Sequence, residues 1–271
     1  MIKLAVNGAA GRMGRQLLSA IGERDDASLQ GAADAPGSPS IGLDASVLGG
    51  GEVVGVHVTD NVESLLKSDV IIDFTAPSVS LALLDAIKGS NTCVVVGTTG
   101  FTASQISQLH KHADNTPIVF APNYSVGVTV TLALLAQAAR AFADEYDVEV
   151  IEAHHRHKVD APSGTAIKMG EVLAESLGRN LEECAIYGRQ GITGERDRNT
   201  IGFETIRAGD IIGDHTVLFA GNGERIEITH KATDRMTFAR GAVRAAVWLS
   251  GRPAGLYDMN HVLGLNNKAV D

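Results

Sequence analysis

The sequence predicts an α/β protein in which a doubly wound parallel sheet is joined to a second, α+β domain carrying an open mixed sheet. Three observations predict it. Short β-branched runs alternate with helical patterns through the first half of the chain. From Ile186 onward, strands alternating apolar and polar residues follow one another without helices between them. Aromatic residues make up only 4% of the chain while glycines number 30, which suits sheets of Val, Ile and Ala linked by glycine-rich turns. The 271 residues suffice for two domains, expected at 1–125 together with 235–271 and at 126–234.

Composition narrows the function. A hydrophobic share of 44% and a mean hydropathy of +0.06 predict a soluble, globular chain. The 23 Lys and Arg against 32 Asp and Glu give a formal net charge of −9, which argues against nucleic acid as the main partner. Cys93 and Cys184 form no Cys-x-x-Cys pair, so no disulfide framework is expected. The chain opens directly on a strand without a signal-peptide pattern, and no apolar run approaches the ~18 residues of a membrane span. A cytoplasmic location with no membrane contact is therefore expected.

Taken in order, Ile2 to Val6 predicts a strand, Asn7 to Gly14 a glycine turn, and Leu17, Leu18 and Ile21 the helix that follows. Glycines at 8, 11 and 14 depart from Gly-x-Gly-x-x-Gly but answer the same needs: a tight turn, close approach of a pyrophosphate, and close helix-to-strand packing. A second strand, Ser28 to Ala33, ends in Asp34, twenty residues beyond Gly14, where an acid typically bonds adenosine ribose hydroxyls. Together these predict a Rossmann-like, dinucleotide-binding domain. Pro36 to Gly51 has no period and predicts a mobile surface loop. Val70 to Phe74, Thr92 to Val96 and Pro117 to Phe120 predict buried parallel strands, and Thr102 with Gln105 has capping-box spacing for a helix. Ligands of such sheets bind at the carboxyl ends of the strands, so the turns at Gly8, Asp34, Thr75, Gly97 and Ala121 should rim one crevice. The nicotinamide half of the cofactor is expected along Gly97 to Gly100 and Pro122 to Tyr124, with the Tyr124 ring able to pack against it. Val126 to Phe142 reads as a helix leading into the second domain, and Arg235 begins a last helix through Phe238, Val243 and Val247.

The chemistry concentrates in Glu152 to Thr165. His154, His155 and His157 with Arg156 and Lys158 occupy consecutive positions at the end of the strand Val148 to Ala153, and Pro162-Ser163-Gly164-Thr165 then opens a helix through Ala166, Met169 and Leu173. A helix start offers unpaired N–H groups and the positive end of the dipole, so Gly164 and Thr165 suit a carboxylate or phosphate. Imidazole titrates near neutrality and a lysine shifts toward it when partly buried, so the preceding loop supplies transferable protons. A solvated basic loop is the plain alternative; the clustering directly before a Ser-Gly-Thr helix start favours a site. The histidines lack His-Glu-x-x-His spacing and strand neighbours point to opposite faces, so no metal is expected.

The run Glu152-Ala-His-His-Arg-His-Lys-Val-Asp-Ala-Pro-Ser-Gly-Thr-Ala166, with the turns Gly8 to Gly14 and Gly97 to Gly100, resembles the dihydrodipicolinate reductase family of bacterial lysine and diaminopimelate synthesis over nearly the whole chain. The resemblance implies that His154 acts as proton donor or acceptor and Lys158 as proton donor. His155, Ser163, Gly164 and Thr165 would contact a small dicarboxylate substrate. It also implies cofactor contacts from Gly8, Ala9, Ala10, Gly11, Arg12 and Met13, from Asp34, from Gly97, Thr98 and Thr99, and from Ala121, Pro122, Asn123 and Tyr124. The second domain would build a homotetramer, and the last helix would pack on the first domain.

Two residues depart from the family's usual pattern. Asp34 is followed by Ala35 and Pro36, not by an arginine suited to a 2′-phosphate, so NADH is expected to serve at least as well as NADPH, although Arg12 can reach a phosphate. Tyr124 stands where many members have Phe. The implied reaction is hydride transfer to C4 of the unsaturated cyclic imine left after the substrate loses its hydroxyl, then protonation, with closure of the domains required for chemistry. The alternatives are another two-domain nicotinamide-dependent dehydrogenase, acting on a sugar or a semialdehyde, and a non-catalytic NADH sensor.

Overall fold

The computed structural model describes residues 1–265. It divides into two units, residues 1–126 with the return segment from Met236, and residues 127–235.

The chain of the first unit runs β1 (Ile2–Asn7), α1 (Arg12–Gly22), β2 (Ala27–Ala33), α2 (Ala45–Leu48), β3 (Val58–Thr59), β4 (Val70–Asp73), α3 (Pro77–Ala86), β5 (Cys93–Val96), α4 (Ala103–Ala113) and β6 (Pro117–Phe120). The helix α5 (Val126–Phe142) leads into the second unit, with β7 (Asp147–His154), α6 (Gly164–Ser176), α7 (Leu181–Cys184), β8 (Ala185–Tyr187), β9 (Ile201–Arg207), β10 (Gly213–Ala220) and β11 (Arg225–Ala232). The return to the first unit is α8 (Met236–Leu249), β12 (Gly255–Tyr257) and α9 (Met259–Leu263).

Among the described residues the first unit holds a seven-stranded sheet in the order β12-β6-β5-β4-β1-β2-β3, parallel at every pairing. Its strands are apolar on both faces because both faces are covered. Val70 and Ile72 of β4 and Cys93 and Val95 of β5 pack with α1 and α8, through Leu17, Leu18, Ala242 and Val243. Their alternates Ile71, Val94 and Val96 pack with α3 and α4, through Leu81, Leu84 and Leu109. Each fully buried Val, Ile or Leu contributes roughly 1.5–3 kcal/mol relative to exposure. The expected capping box forms, Thr102 accepting from the Gln105 N–H while the Gln105 side chain accepts from the Thr102 N–H.

Three local features differ from the sequence reading. The segment Pro36 to Gly51 is tied down where a mobile loop was expected. The Asp44 carboxylate accepts from the backbone N–H groups of Ser46, Val47, Val54 and Gly55, and Gly42 and Val58 exchange ladder bonds with Val58 and Leu43. The short strands β3 and β12 were not anticipated, because two or three residues carry no readable period. The apolar α5 with its 3-10 extension, Val126–Glu145, is long and apolar enough to cross a membrane by length and composition, contrary to the expectation that no run approaches this. In the fold it buries Leu135 and Ala139 in the core of the second unit.

That second unit carries a five-stranded sheet, β11-β10-β7-β9-β8. It is mixed: β10 runs antiparallel to β7 and β11, while β9 runs parallel to β7 and β8. One face is covered by α5 and α6, with Met169 and Leu173 against Val148, Val150, Phe203 and Phe219. Gly170 is required there, since a Cβ would stand 2.4 Å from Cζ of Phe203. On the opposite face, Glu204, Ile151, Thr216 and Thr229 are covered by no helix among the described residues, and none of the four is buried.

Candidate active site

In the first unit, the carboxyl ends of β1, β4, β5 and β6 meet around a cavity of about 470 Å³, within the range of small-molecule sites. Its walls are Gly11, Arg12 and Met13 from the glycine turn, Phe74 and Thr75 after β4, Gly97, Thr98 and Thr99 after β5, Pro122, Asn123 and Tyr124 after β6, and Phe238 from α8. The fit to a dinucleotide is visible in what the glycines permit. Gly8 has φ +83°, and a Cβ on Gly14 would stand 2.0 Å from the Gly8 carbonyl oxygen, so helix α1 can start hard against the turn. A Cβ on Gly97 would collide with the Phe74 ring at 2.1 Å.

Beneath this floor lies a buried carboxylate that sequence reasoning passed over. Asp73 accepts from the Asn7 amide at 2.8 Å, the Thr75 hydroxyl at 2.8 Å, the Thr98 hydroxyl at 3.1 Å and, at short range, Ser80. Thr98 Oγ1 in turn accepts from the Thr75 N–H at 2.9 Å. Two residues of the cavity wall are thereby fixed from below. Desolvation raises the Asp73 carboxyl above its ordinary value, against the four donors that lower it.

Other expected cofactor residues lie behind the wall. Gly8 and Ala9 donate their N–H groups to the Ala33 carbonyl at 2.9 Å, which fixes the turn but removes those donors from a ligand. Ala10 accepts from the Arg15 side chain, and Ala121 is buried. Asp34 stands at the end of β2, accepting from the Ser38 hydroxyl at 2.6 Å. Tyr124 corrects the expectation of a ring facing the cofactor. Its side chain is turned into the core, the hydroxyl donating toward the carbonyls of Val96 at 2.8 Å and Val119 at 3.1 Å, and only 1% of the residue is exposed. The aromatic neighbours of the cavity are Phe74, tilted against Tyr124 at 5.6 Å, and Phe238.

The second unit holds the acid cluster. Alternation along β7 turns Glu152 and His154 inward, toward α6, and leaves Ala153 on the other side; His155 follows the end of the strand. Glu152, 1% exposed, accepts from five donors: both Arg207 terminal nitrogens at 2.8 Å, His154 Nδ1 at 2.6 Å, the Ser163 N–H at 3.1 Å and the Thr205 hydroxyl at 3.2 Å. A carboxylate only accepts, so the neutral His154 ring carries its proton on Nδ1 and presents a lone pair at Nε2. Nε2 lies over Gly213, where a Cβ would stand 3.0 Å away. Desolvation pulls the His154 imidazole below its ordinary value, with Glu152 opposing. Desolvation raises Glu152, but Arg207 and His154 outweigh it and hold the carboxyl low.

Lys158 pairs with Asp160, Nζ to Oδ2, at 2.9 Å. Ser163 departs from the expected ligand-facing role, because its hydroxyl accepts from the Ala166 N–H at 3.1 Å as the cap of α6, pairs with His215 Nε2 at 2.8 Å, and leaves the residue buried. Helix α6 begins at Gly164 and Thr165, so the positive end of its dipole lies at these residues. His155 reaches Arg235 through Nε2 at 3.3 Å, and its ring lies 6.2 Å from that of His157. Among the described residues no three His, Cys, Asp or Glu side chains converge as a metal site.

Sequence reading missed Glu152 as a functional group, and with it Arg207, Thr205 and His215. Their signal is the sheet register: Thr205 and His215 lie opposite Glu152, and Arg207 opposite His154.

Comparison with known proteins agrees with this geometry. Residues 2–124 match the family model described as dihydrodipicolinate reductase, N-terminus, and residues 127–263 the one described as dihydrodipicolinate reductase, C-terminus. A 4-hydroxy-tetrahydrodipicolinate reductase of Alkalilimnicola ehrlichii is 58% identical over 264 residues, covering 97% of this chain and 99% of the relative. One of Hahella chejuensis is 56% identical over 266 residues, covering 98% and 100%. Among solved structures, a dipicolinate-bound dihydrodipicolinate reductase of Paenisporosarcina sp. TG-14 superimposes with a TM-score of 0.76 at 26% identity, over 95% of this chain and 97% of that one. A glycine-turn cavity, a carboxylate-held imidazole and a matching sequence over both units lead to one assignment: the chain belongs to the dihydrodipicolinate reductase family, a family of oxidoreductases.

Proposed function

We propose that this chain reduces 4-hydroxy-tetrahydrodipicolinate to tetrahydrodipicolinate with NAD(P)H, as a cytoplasmic enzyme of lysine and diaminopimelate biosynthesis. The observation that carries the reading is His154, held by Glu152 in one tautomer, in the same unit as Lys158 and the N-terminal turn of α6. The first unit's cavity would hold the reduced nicotinamide nucleotide, which supplies the hydride. N–H groups of Gly164 and Thr165 hold a substrate carboxylate, His155 adds a polar contact, and the dipole of the 13-residue α6 favours the anion. Lys158 delivers the proton that completes the reduction, while His154 moves a proton at Nε2 and, with Lys158, stabilises developing negative charge. The test is NADH consumption with enzymatically generated substrate. Rapid consumption is expected; tight NADH binding without consumption would instead mean a sensor.

The cofactor preference rests on Asp34. Its carboxylate ends β2 with Ala35 and Pro36 behind it, so a 2′-phosphate there would meet a negative charge with no adjacent arginine fork. We expect kcat/KM with NADH at least equal to that with NADPH at physiological salt. A clear NADPH advantage would show that Arg12 or another cation dominates.

We further infer a homotetramer built on the second unit's sheet. Its uncovered face presents Ile186 and Ile206, 40% and 49% exposed, on the same side as Glu204 and Ile151. Light scattering should give four times the 28.4 kDa chain mass, and a monomer at micromolar concentration would refute the assembly.

A further inference from the structure

The two proposed proton-handling residues, His154 and Lys158, have no direct contact among the interactions described above, yet one side chain reaches toward both. Arg207, at the end of β9, sits opposite His154 in the parallel β7–β9 register, so its side chain shares the inward face. Its guanidinium makes four bonds. Nη1 and Nη2 donate to Oε2 and Oε1 of Glu152, each at 2.8 Å; Nη2 also donates to the Asp160 carbonyl at 2.6 Å, and Nη1 to the carbonyl of Ile206 at 2.8 Å. From the first pair the path continues to His154, whose Nδ1 meets Glu152 at 2.6 Å. From the third it continues through Asp160, whose side chain holds Lys158 Nζ at 2.9 Å.

We propose that Arg207 is a positioning residue for both proton-handling groups, fixing the His154 tautomer through the Glu152 carboxylate and the Lys158 ammonium through the Asp160 backbone. This rests on the roles given above to His154 and Lys158. The physics favours arginine specifically. Only a planar fork grips both oxygens of a carboxylate while a further N–H reaches a backbone carbonyl; a lysine at this position supplies charge at one point and loses that simultaneous grip. With Glu152 pinned, its accepting oxygen faces Nδ1, and Nε2 is the nitrogen left to exchange a proton. With the Asp160 carbonyl pinned, the short turn from Lys158 to Asp160 cannot swing, and the ammonium stays within reach of its carboxylate. A simpler reading, that Arg207 only neutralises a buried glutamate, predicts an effect on stability and none on the proton step.

The experiment compares Arg207→Lys and Glu152→Gln with His154→Ala and Lys158→Ala, in the full chain. It reads kcat, substrate KM, NADH Kd, the pH profile of kcat, and ¹⁵N shifts of the His154 ring. Arg207→Lys keeps the charge, and we expect kcat to fall ~10- to 100-fold with NADH Kd unchanged and KM within about threefold, as for other groups that orient a reacting side chain. Glu152→Gln should give a similar fall, a mixed tautomer signal in place of Nδ1–H alone, and a displaced pH profile. The double variant should be little worse than either single one, since both cut the same path. Wild-type kcat and pH profile in Arg207→Lys, with activity lost in His154→Ala and Lys158→Ala, would overturn the proposal. So would a loss confined to KM, which would make Arg207 a substrate contact, or a wild-type tautomer signal in Glu152→Gln. If Arg207→Lys does not fold, the Glu152→Gln kinetics and ring shifts decide. Activity retained in both His154→Ala and Lys158→Ala would instead refute the underlying assignment of the acids.

Discussion

Lys158→Ala is expected to lower turnover by roughly 10²–10⁴-fold, the range for loss of a positioned proton donor, while NADH affinity stays within about twofold of wild type. The separation follows from the architecture. Lys158 belongs to the second unit and is absent from the walls of the cavity in the first, so truncating it removes a proton and a charge from the reacting substrate without touching the cofactor's own contacts. Its side chain is 21% exposed and reaches Asp160 by one ion pair, so truncation leaves a half-exposed aspartate and no buried unpaired charge. Folding should therefore survive, and the loss should be chemical. Lys158→Arg makes the sharper control. It preserves the cation but fails as an acid, because guanidinium does not release its proton in this pH range. Steady-state NADH oxidation and a fluorescence titration of NADH are sufficient. A rise in NADH Kd matching the fall in kcat would contradict the role.

How much of this was legible in the sequence depends on the distance over which each feature is encoded. β4, β5 and β6 were readable because a strand covered on both faces must be continuously apolar, and Val70 to Asp73, Cys93 to Val96 and Pro117 to Phe120 are nearly so. Helix starts were readable where a cap is local, as at Thr102 and Ser163. The strand β12 was not, because Gly255 to Tyr257 become a strand only by pairing with Pro117 to Val119, more than a hundred residues earlier. Pro36 to Gly51 looked mobile for a related reason: the four donors that organise Asp44 include Val54 and Gly55, beyond the stretch that suggested a loop.

The site divides in the same way. His154, Lys158, Gly164 and Thr165 fall within one twelve-residue stretch, so its composition announced them. Glu152 lay in the same run, yet its importance depends on Arg207 and Thr205 from β9 and on its place under α6, none of which a linear reading registers. Tyr124 shows the opposite error. A ring placed next to a cofactor turn suggested stacking, but burying a phenol requires acceptors for its hydroxyl, and the carbonyls of Val96 and Val119 lie inside the core.

The second large effect concerns stability in mild acid. His215 lies opposite both Glu152 and His230 in the ladders of β10, and 4% of it is exposed. Desolvation first, and then the neighbouring His154, depress its imidazole from the ordinary 6.5 to about 4; Glu152 opposes, while His230 and Lys158 add to the depression. The folded chain thus takes up this proton only near pH 4, whereas the unfolded chain takes it up near 6.5. Between those values the unfolded state binds more protons, so the stability due to neutral His215 is complete above pH 6.5 and is lost progressively as pH falls toward 4. The full loss is about 3 kcal/mol. His154 and His230 are depressed in the same direction and steepen the decline. Glu152 acts in a lower window, since a carboxyl held below 4.5 contributes stability that is lost only beneath that value. Urea unfolding followed at several pH values between 4.5 and 7.5 should show stability of the second unit falling with acid, and His215→Asn, which keeps a hydrogen-bonding amide beside Ser163 but cannot titrate, should flatten that slope. An undiminished slope in His215→Asn would assign the acid sensitivity to other groups, whereas a flattened one places it at the imidazole that supports the cap of α6.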